Sequence, residues 1–145
     1  AKLQGFVPPD LKTLLAEKEA LNSEIYIAKT EDSQPIAYGL IIKEGEEGDY
    51  YEAASTELNR KLPGAYALLW QAIKDLKSEG YSRFNLWGIA PAGHPSHRYA
   101  GVTTFKTGFG GTITEYVPAH DLVISKIKYL KDLAVETIRK KKRHL

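Results

Sequence analysis

The stretch LPGAYALLWQAIKDLKSEGY, residues 62–81, constrains the fold more than any other part of the chain. Tyr66, Leu69, Trp70, Ile73 and Leu76 recur at helical spacing, Pro63 suits a first turn, and Gly80 suits a helix end. RFNLWGIA follows at once and reads as a strand. A helix that runs straight into a buried strand lays its apolar face on the sheet that the strand joins, which implies a mixed sheet with helical cover. On this reading Trp70 and Trp87 are core residues, because an aromatic stripe at helical spacing usually faces the interior.

The flanking segments fit that sheet. PPDLKTLLAEKEALNSE sets Leu11, Leu14, Leu15 and Leu21 on one helical face, with Pro8 and Pro9 marking its start. EIYIAKT and PIAYGLIIKEG, separated by the turn residues EDSQ, give a β-hairpin, and GEEGDYYEAAST adds a turn and a third short strand around Tyr50 to Ala54. PAGHPSHRYAG is a loop by composition, and Phe105 and Lys106 fall on a short turn or helix after it. TITEYVPAHDLVI predicts a strand pair, or one long strand bent at Pro118. Ile127, Leu130, Leu133, Ala134 and Ile138 then predict an amphipathic closing helix. The expected architecture is α/β (α+β): one domain over residues 1–145, with a mixed, largely antiparallel sheet flanked by helices.

A chain of 145 residues, 43% hydrophobic and 26% charged, is ordinary for a globular domain. It contains no cysteine, so disulfides and thiolate zinc sites are excluded and a cytoplasmic location is allowed. Methionine is also absent, and the opening AKLQGF reads as a piece of something longer. The net charge of +2 is unevenly spread: from Lys126 onward eight Lys/Arg face two acids, a balance of +6. The end IRKKKRHL suits phosphate on RNA or anionic lipid, and equally a solvated helix end whose cations complement the macrodipole.

Few residues carry obvious chemistry. His94 and His97 form HxxH, but Pro95 argues against a helix there and no third ligand is near in sequence, so no metal site is expected. Ser96, His120 and Asp121 lack a nucleophile-elbow context. RKLPGAY, residues 60–66, sits where a helix start could hold an anion. A CoA-binding loop of the pattern [QR]-x-x-G-x-[GA] would need glycine where Pro63 stands, and proline donates no N–H. The remaining candidate is GVTTFKTGFGGTITEY, residues 101–116, in which Lys106 lies between two phenylalanines and just ahead of Gly108, Gly110 and Gly111. By spacing alone this is a cation aimed at a substrate or a solvated lysine beside a turn.

Taken together, YYEAAS, LPGAYALLWQAIKDLKSEGYSRFNLWGI and GVTTFKTGFGGTITEY resemble the second half of the Fem family of aminoacyl-tRNA-dependent peptidyltransferases, over roughly residues 24–124. FK-x-GFGG is the most specific element. Family members have two subdomains resembling the GNAT (acyl-CoA N-acyltransferase) fold, so the resemblance implies a GNAT-like domain here and a first GNAT-like subdomain as its partner. It further implies aminolysis of aminoacyl-tRNA by a peptidoglycan stem-peptide amine, with aminoacyl-tRNA as co-substrate and no cofactor. Lys106 is then the cation beside the tetrahedral oxyanion, Phe105 shapes the pocket, and Gly108, Gly110 and Gly111 admit the ester and the CCA end. Arg60 and Tyr66 would meet the pyrophosphate of a UDP- or lipid-linked muropeptide. The implied setting is cytoplasmic, with peripheral contact at the inner membrane face. A CoA-dependent N-acyltransferase, or a binding module without catalysis, are the alternatives; for the isolated chain the expectation is little or no activity.

Overall fold

A computed structural model describes residues 10–142, with side chains described up to residue 139. The helix-start reading of Pro8 and Pro9, and most of the basic end after Arg139, lie outside the described residues. The chain divides into two compact units, residues 1–111 and 112–145.

In the first unit, α1 (Leu11–Ala20) starts at Asp10, whose carboxylate accepts the Thr13 N–H at 2.7 Å, a side-chain N-cap. Strands β1 (Ser23–Lys29), β2 (Pro35–Glu44) and β3 (Glu47–Ser55) form an antiparallel meander. Its second turn is tight because Gly45 adopts φ 57°, a conformation that glycine takes without a Cβ clash. A 3-10 turn (Glu57–Arg60) leads to α2 (Gly64–Ser78), then to β4 (Arg83–Asn85), which pairs in parallel with Glu47–Asp49 of β3. The sheet order is β1-β2-β3-β4. A short helix, α3 (Ala100–Thr107), closes the unit.

The core lies between α2 and one face of the sheet. Leu68, Leu69, Ala72 and Leu76 of α2 pack with Ala37 and Ile41 of β2, and Ile41 and Leu69 are fully buried. The helix approaches closely because the sheet offers small residues beneath it. A Cβ added at Gly48 would lie 2.5 Å from Leu76 Cδ1.

Three expectations for the first unit are corrected. The buried stripe of α2 is rotated from the expected one, so that Trp70, at 58% exposed, faces outward; the helix meets the sheet along 68, 69, 72 and 76. Trp87 is also outside the core, at 54% exposed. β4 ends at Asn85 rather than running through RFNLWGIA, because Trp87 has φ 64°, which an extended strand cannot accommodate.

The second unit contains α4 (Lys126–Lys142), the expected closing helix. Residues 112–124 form no strand, against the reading of TITEYVPAHDLVI. β-propensity is realised only beside a partner strand, and among its described residues this unit holds no strand to pair with. Within it, the Tyr129 hydroxyl donates to Asp121 Oδ2 at 2.9 Å.

The Gly48 contact gives a stability test. Gly48→Ala forces a methyl against a buried leucine and should destabilise the chain by about 1–3 kcal/mol. Gly101→Ala, where an added Cβ meets nothing within 4 Å, should be neutral or stabilising by up to about 1 kcal/mol. Urea unfolding of the two variants beside the parent measures both; equal midpoints would show that α2 is not packed this tightly.

Candidate functional site

The site grows from the point where β3 and β4 part. Beyond Asn85 the two strands no longer pair, while β3 continues along β2. Close to that point the β2–β3 register slips: Leu40 faces Glu52 and Ile41 faces Tyr50, leaving Tyr51 as a bulge. The Asn85 side chain accepts the Trp87 N–H at 2.8 Å, an Asx turn that ends the strand. Asn85 is itself held, its Nδ2 donating to Glu47 Oε1 at 3.2 Å. A left-handed backbone at a bulky residue costs about 1–2 kcal/mol. The Trp87 ring meets the bulged Tyr51 edge-on, with centroids 5.6 Å apart.

The chain leaving Trp87 is joined to α3 at two points. The Ala90 N–H donates to Thr103 Oγ1 at 2.9 Å, and the Lys106 ammonium donates to the Gly88 carbonyl at 2.8 Å. Lys106 is half-buried, and burial lowers its pKa from the ordinary lysine value. The carbonyl works in the opposite sense, since an acceptor on the ammonium favours the charged form.

Three aromatic rings fix the far side of α3. Phe105 meets Tyr66 at 4.7 Å and 68°, Phe109 stacks on Tyr66 at 5.5 Å and 25°, and the two phenylalanines meet edge-on at 5.6 Å. Tyr66 belongs to the first turn of α2, so this cluster ties the lysine-bearing helix to the core helix. Gly108 caps α3 in ordinary helical conformation, and a Cβ there would lie 3.8 Å from the Tyr66 hydroxyl. Gly110 has φ 73°, and a Cβ at Gly110 or Gly111 would meet nothing within 4 Å, so the backbone beyond the lysine is open to approach.

Lys106, Phe105, Tyr66 and Gly108 are thus brought together, with Gly110 and Gly111 following directly. The Arg60 side chain, at the end of the 3-10 turn, is exposed and makes no hydrogen bond or ion pair among the described residues. The start of α2 is already satisfied internally: the Gly64 N–H donates to Leu62 O at 2.7 Å, and the Ala65 N–H donates to Asn59 Oδ1 at 2.8 Å. Two donors that a pyrophosphate cradle would use are therefore occupied. His97 Nδ1 accepts the Tyr99 N–H at 3.1 Å, and no group of three potential metal-ligating side chains occurs among the described residues.

Tyr51, Asn85, Trp87 and Gly88 were not singled out from the sequence as site residues. The one available signal was an asparagine, a turn former, set inside an apparent strand and followed by Trp-Gly.

The sequence profile of the FemAB family matches residues 11–136. This chain belongs to the FemAB family. Within FemAB it is 29% identical to the aminoacyltransferase FemB of Staphylococcus epidermidis over 106 residues, 73% of this chain and 25% of that protein. It is likewise 29% identical to the aminoacyltransferase FemA of Staphylococcus aureus over 105 residues, 72% of this chain and 25% of that one. The chain thus matches about a quarter of the length of these curated relatives. Two solved acetyltransferases share its fold. One is from Trypanosoma brucei, with a TM-score of 0.54 at 12% identity, covering 79% of this chain and 82% of that one. The other, a putative acetyl transferase from Pyrococcus furiosus, has a TM-score of 0.53 at 15% identity and covers 83% and 90%. The family resemblance and the GNAT-like α/β class read from the sequence are both borne out.

The aromatic cluster makes a prediction for this FemAB domain. Tyr66→Ala removes two ring contacts, each worth roughly 0.5–1.5 kcal/mol beyond its buried area, and should lower the melting temperature. Tyr66→Phe should melt like the parent, because the hydroxyl is not what holds α3. A Tyr66→Ala protein with unchanged melting would mean that α3 is fixed by other contacts.

Proposed function

We propose that this chain is the lysine-bearing GNAT-like subdomain of an aminoacyltransferase that moves an amino acid from aminoacyl-tRNA to a stem-peptide amine of a peptidoglycan precursor. The observation that carries the proposal is the Lys106 ammonium, held by Gly88 O at the end of α3 and followed by the open backbone of Gly110 and Gly111. Membership of a family whose curated relatives are named aminoacyltransferases supports it.

In the proposed reaction the acceptor nitrogen attacks the ester carbonyl carbon of the aminoacyl group. Charge accumulates on the carbonyl oxygen, the bond to the ribose oxygen then breaks, the nitrogen loses a proton, and the ribose hydroxyl regains one. A cation fixed before the reaction stabilises that oxygen without reorganising at the moment of charge development. Lys106 meets this requirement: its ammonium is oriented by a backbone carbonyl, and its helix is packed through Phe105, Phe109 and Tyr66. The exposed Arg60 is free to pair with the pyrophosphate of a UDP- or lipid-linked muropeptide. Tyr66 would contribute only its hydroxyl, since its ring is committed to the cluster. The occupied N–H groups of Gly64 and Ala65 weigh against CoA as the acyl donor.

Because the chain spans a quarter of its curated relatives, the reading makes it a partial enzyme whose acceptor cleft is completed by the first GNAT-like subdomain. Its work is cytoplasmic on this account, where aminoacyl-tRNA is found, with the basic end making peripheral contact with tRNA or the inner membrane face. No helix among the described residues is long and apolar enough to cross a membrane.

Lys106→Ala in the full-length parent tests the reading. Losing an oxyanion donor costs roughly 2.7–4 kcal/mol, about a hundredfold to a thousandfold in rate, so single-turnover transfer should fall by that factor while acceptor binding changes little. Lys106→Arg should recover part of the rate. Near-parental transfer by a folded Lys106→Ala enzyme would refute the catalytic role.

A further inference from the structure

Trp87 is a large aromatic residue held in the left-handed region at φ 64° and is 54% exposed. Burial of the ring therefore does not account for the strain. What the conformation does is local and directional: it ends β4 and turns the chain so that the next carbonyl, that of Gly88, meets the Lys106 ammonium at 2.8 Å. The Asx turn from Asn85 Oδ1 to the Trp87 N–H at 2.8 Å holds the strained residue in place. Asn85 is oriented in turn by Glu47 Oε1 at 3.2 Å, and Glu47 also accepts Arg83 Nε at 3.1 Å across the parallel β3–β4 pair. A continuous series of contacts thus runs from the paired part of the sheet to the lysine.

From this series we infer that Asn85 and Trp87 are positioning residues, which act through the Gly88 carbonyl to fix the Lys106 ammonium. Neither touches the reacting atoms. The inference rests on the reading of Lys106 given above for its functional meaning, but the positioning itself is a property of the folded chain and needs no transfer activity to be seen. Strain of this kind persists only where surrounding contacts over-determine it, and here they are the Asn85 cap on the Trp87 N–H and the Tyr51 ring against the indole. Glycine, which takes positive φ without a Cβ clash, would hold the same turn without the cap.

That difference supplies the experiment. The 145-residue chain, labelled at lysine Cε, is titrated by NMR to follow the Lys106 ammonium in four forms: parent, Asn85→Ala, Trp87→Gly and the double variant. Asn85→Ala removes the cap, frees Trp87 to leave the left-handed region, and should move the Lys106 midpoint by at least about half a pH unit, a roughly threefold change in its ionisation constant. Trp87→Gly should leave the midpoint near the parent's. The decisive form is the double variant: glycine restores the turn without the cap, so the midpoint should return to the parental value.

If Asn85 were needed only to link β4 to β3 through Glu47, Trp87→Gly could not rescue it, and the double variant would titrate like Asn85→Ala. That outcome, or an unmoved Lys106 in Asn85→Ala, overturns the inference. The proposed reaction fails separately, if Lys106→Ala in the full-length parent still transfers at the normal rate while these titrations come out as expected.

Discussion

The parting of β3 and β4 after Asn85 is the constraint on which the rest of the site depends. Had β4 continued along β3, the backbone of residues 86–88 would have gone into ladder hydrogen bonds. Instead the left-handed Trp87 takes the chain out of the sheet, and the Gly88 carbonyl becomes the acceptor of a lysine from another helix. The bulge at Tyr51 lies on the strand facing that departure, and its ring leans on Trp87. Bulges twist strands and interrupt pairing, so both sides of the opening are shaped by backbone irregularity.

Irregularity of this kind has to be supported by regular structure elsewhere. The support is the α2 helix on the β1–β3 meander, where small residues in the strands let Leu68 and Leu76 approach closely. Tyr66 then carries that rigidity outward, since it lies on α2 and packs against both phenylalanines flanking Lys106. Phe105 and Phe109 are consequently positioning and packing residues first, whatever they contact in a substrate complex. The ammonium sits where burial lowers its pKa and a backbone carbonyl holds it in place.

Much of this was legible in the sequence, for physical reasons. Alternation and turn residues located the meander, and helical spacing located α2, since burial against a sheet selects residues at those periods. Lys106 and its glycines were visible through the family pattern rather than through spacing. The rotation of α2 was not legible: Tyr66, Trp70 and Ile73 extend the apolar arc beyond what the sheet covers, and periodicity does not say which edge of the arc is buried. Nor was the end of β4. Phe84, Leu86 and Trp87 look like a strand, and a strained φ at tryptophan leaves no mark in composition; only Asn85 hinted at it. Residues 112–124 failed for a different reason, because β-prone residues become a strand only beside a partner.

The central claim is that the opening around Lys106 receives an aminoacyl ester at a nucleic-acid 3′ end. The most direct measurement is amide NMR of the labelled chain titrated with a non-hydrolysable aminoacylated CCA oligonucleotide, and separately with CoA. The account predicts that the oligonucleotide perturbs residues 87–88 and 105–111, and that CoA leaves residues 63–66 undisturbed. Perturbation by CoA at the start of α2, with none around Lys106 from the oligonucleotide, would contradict it.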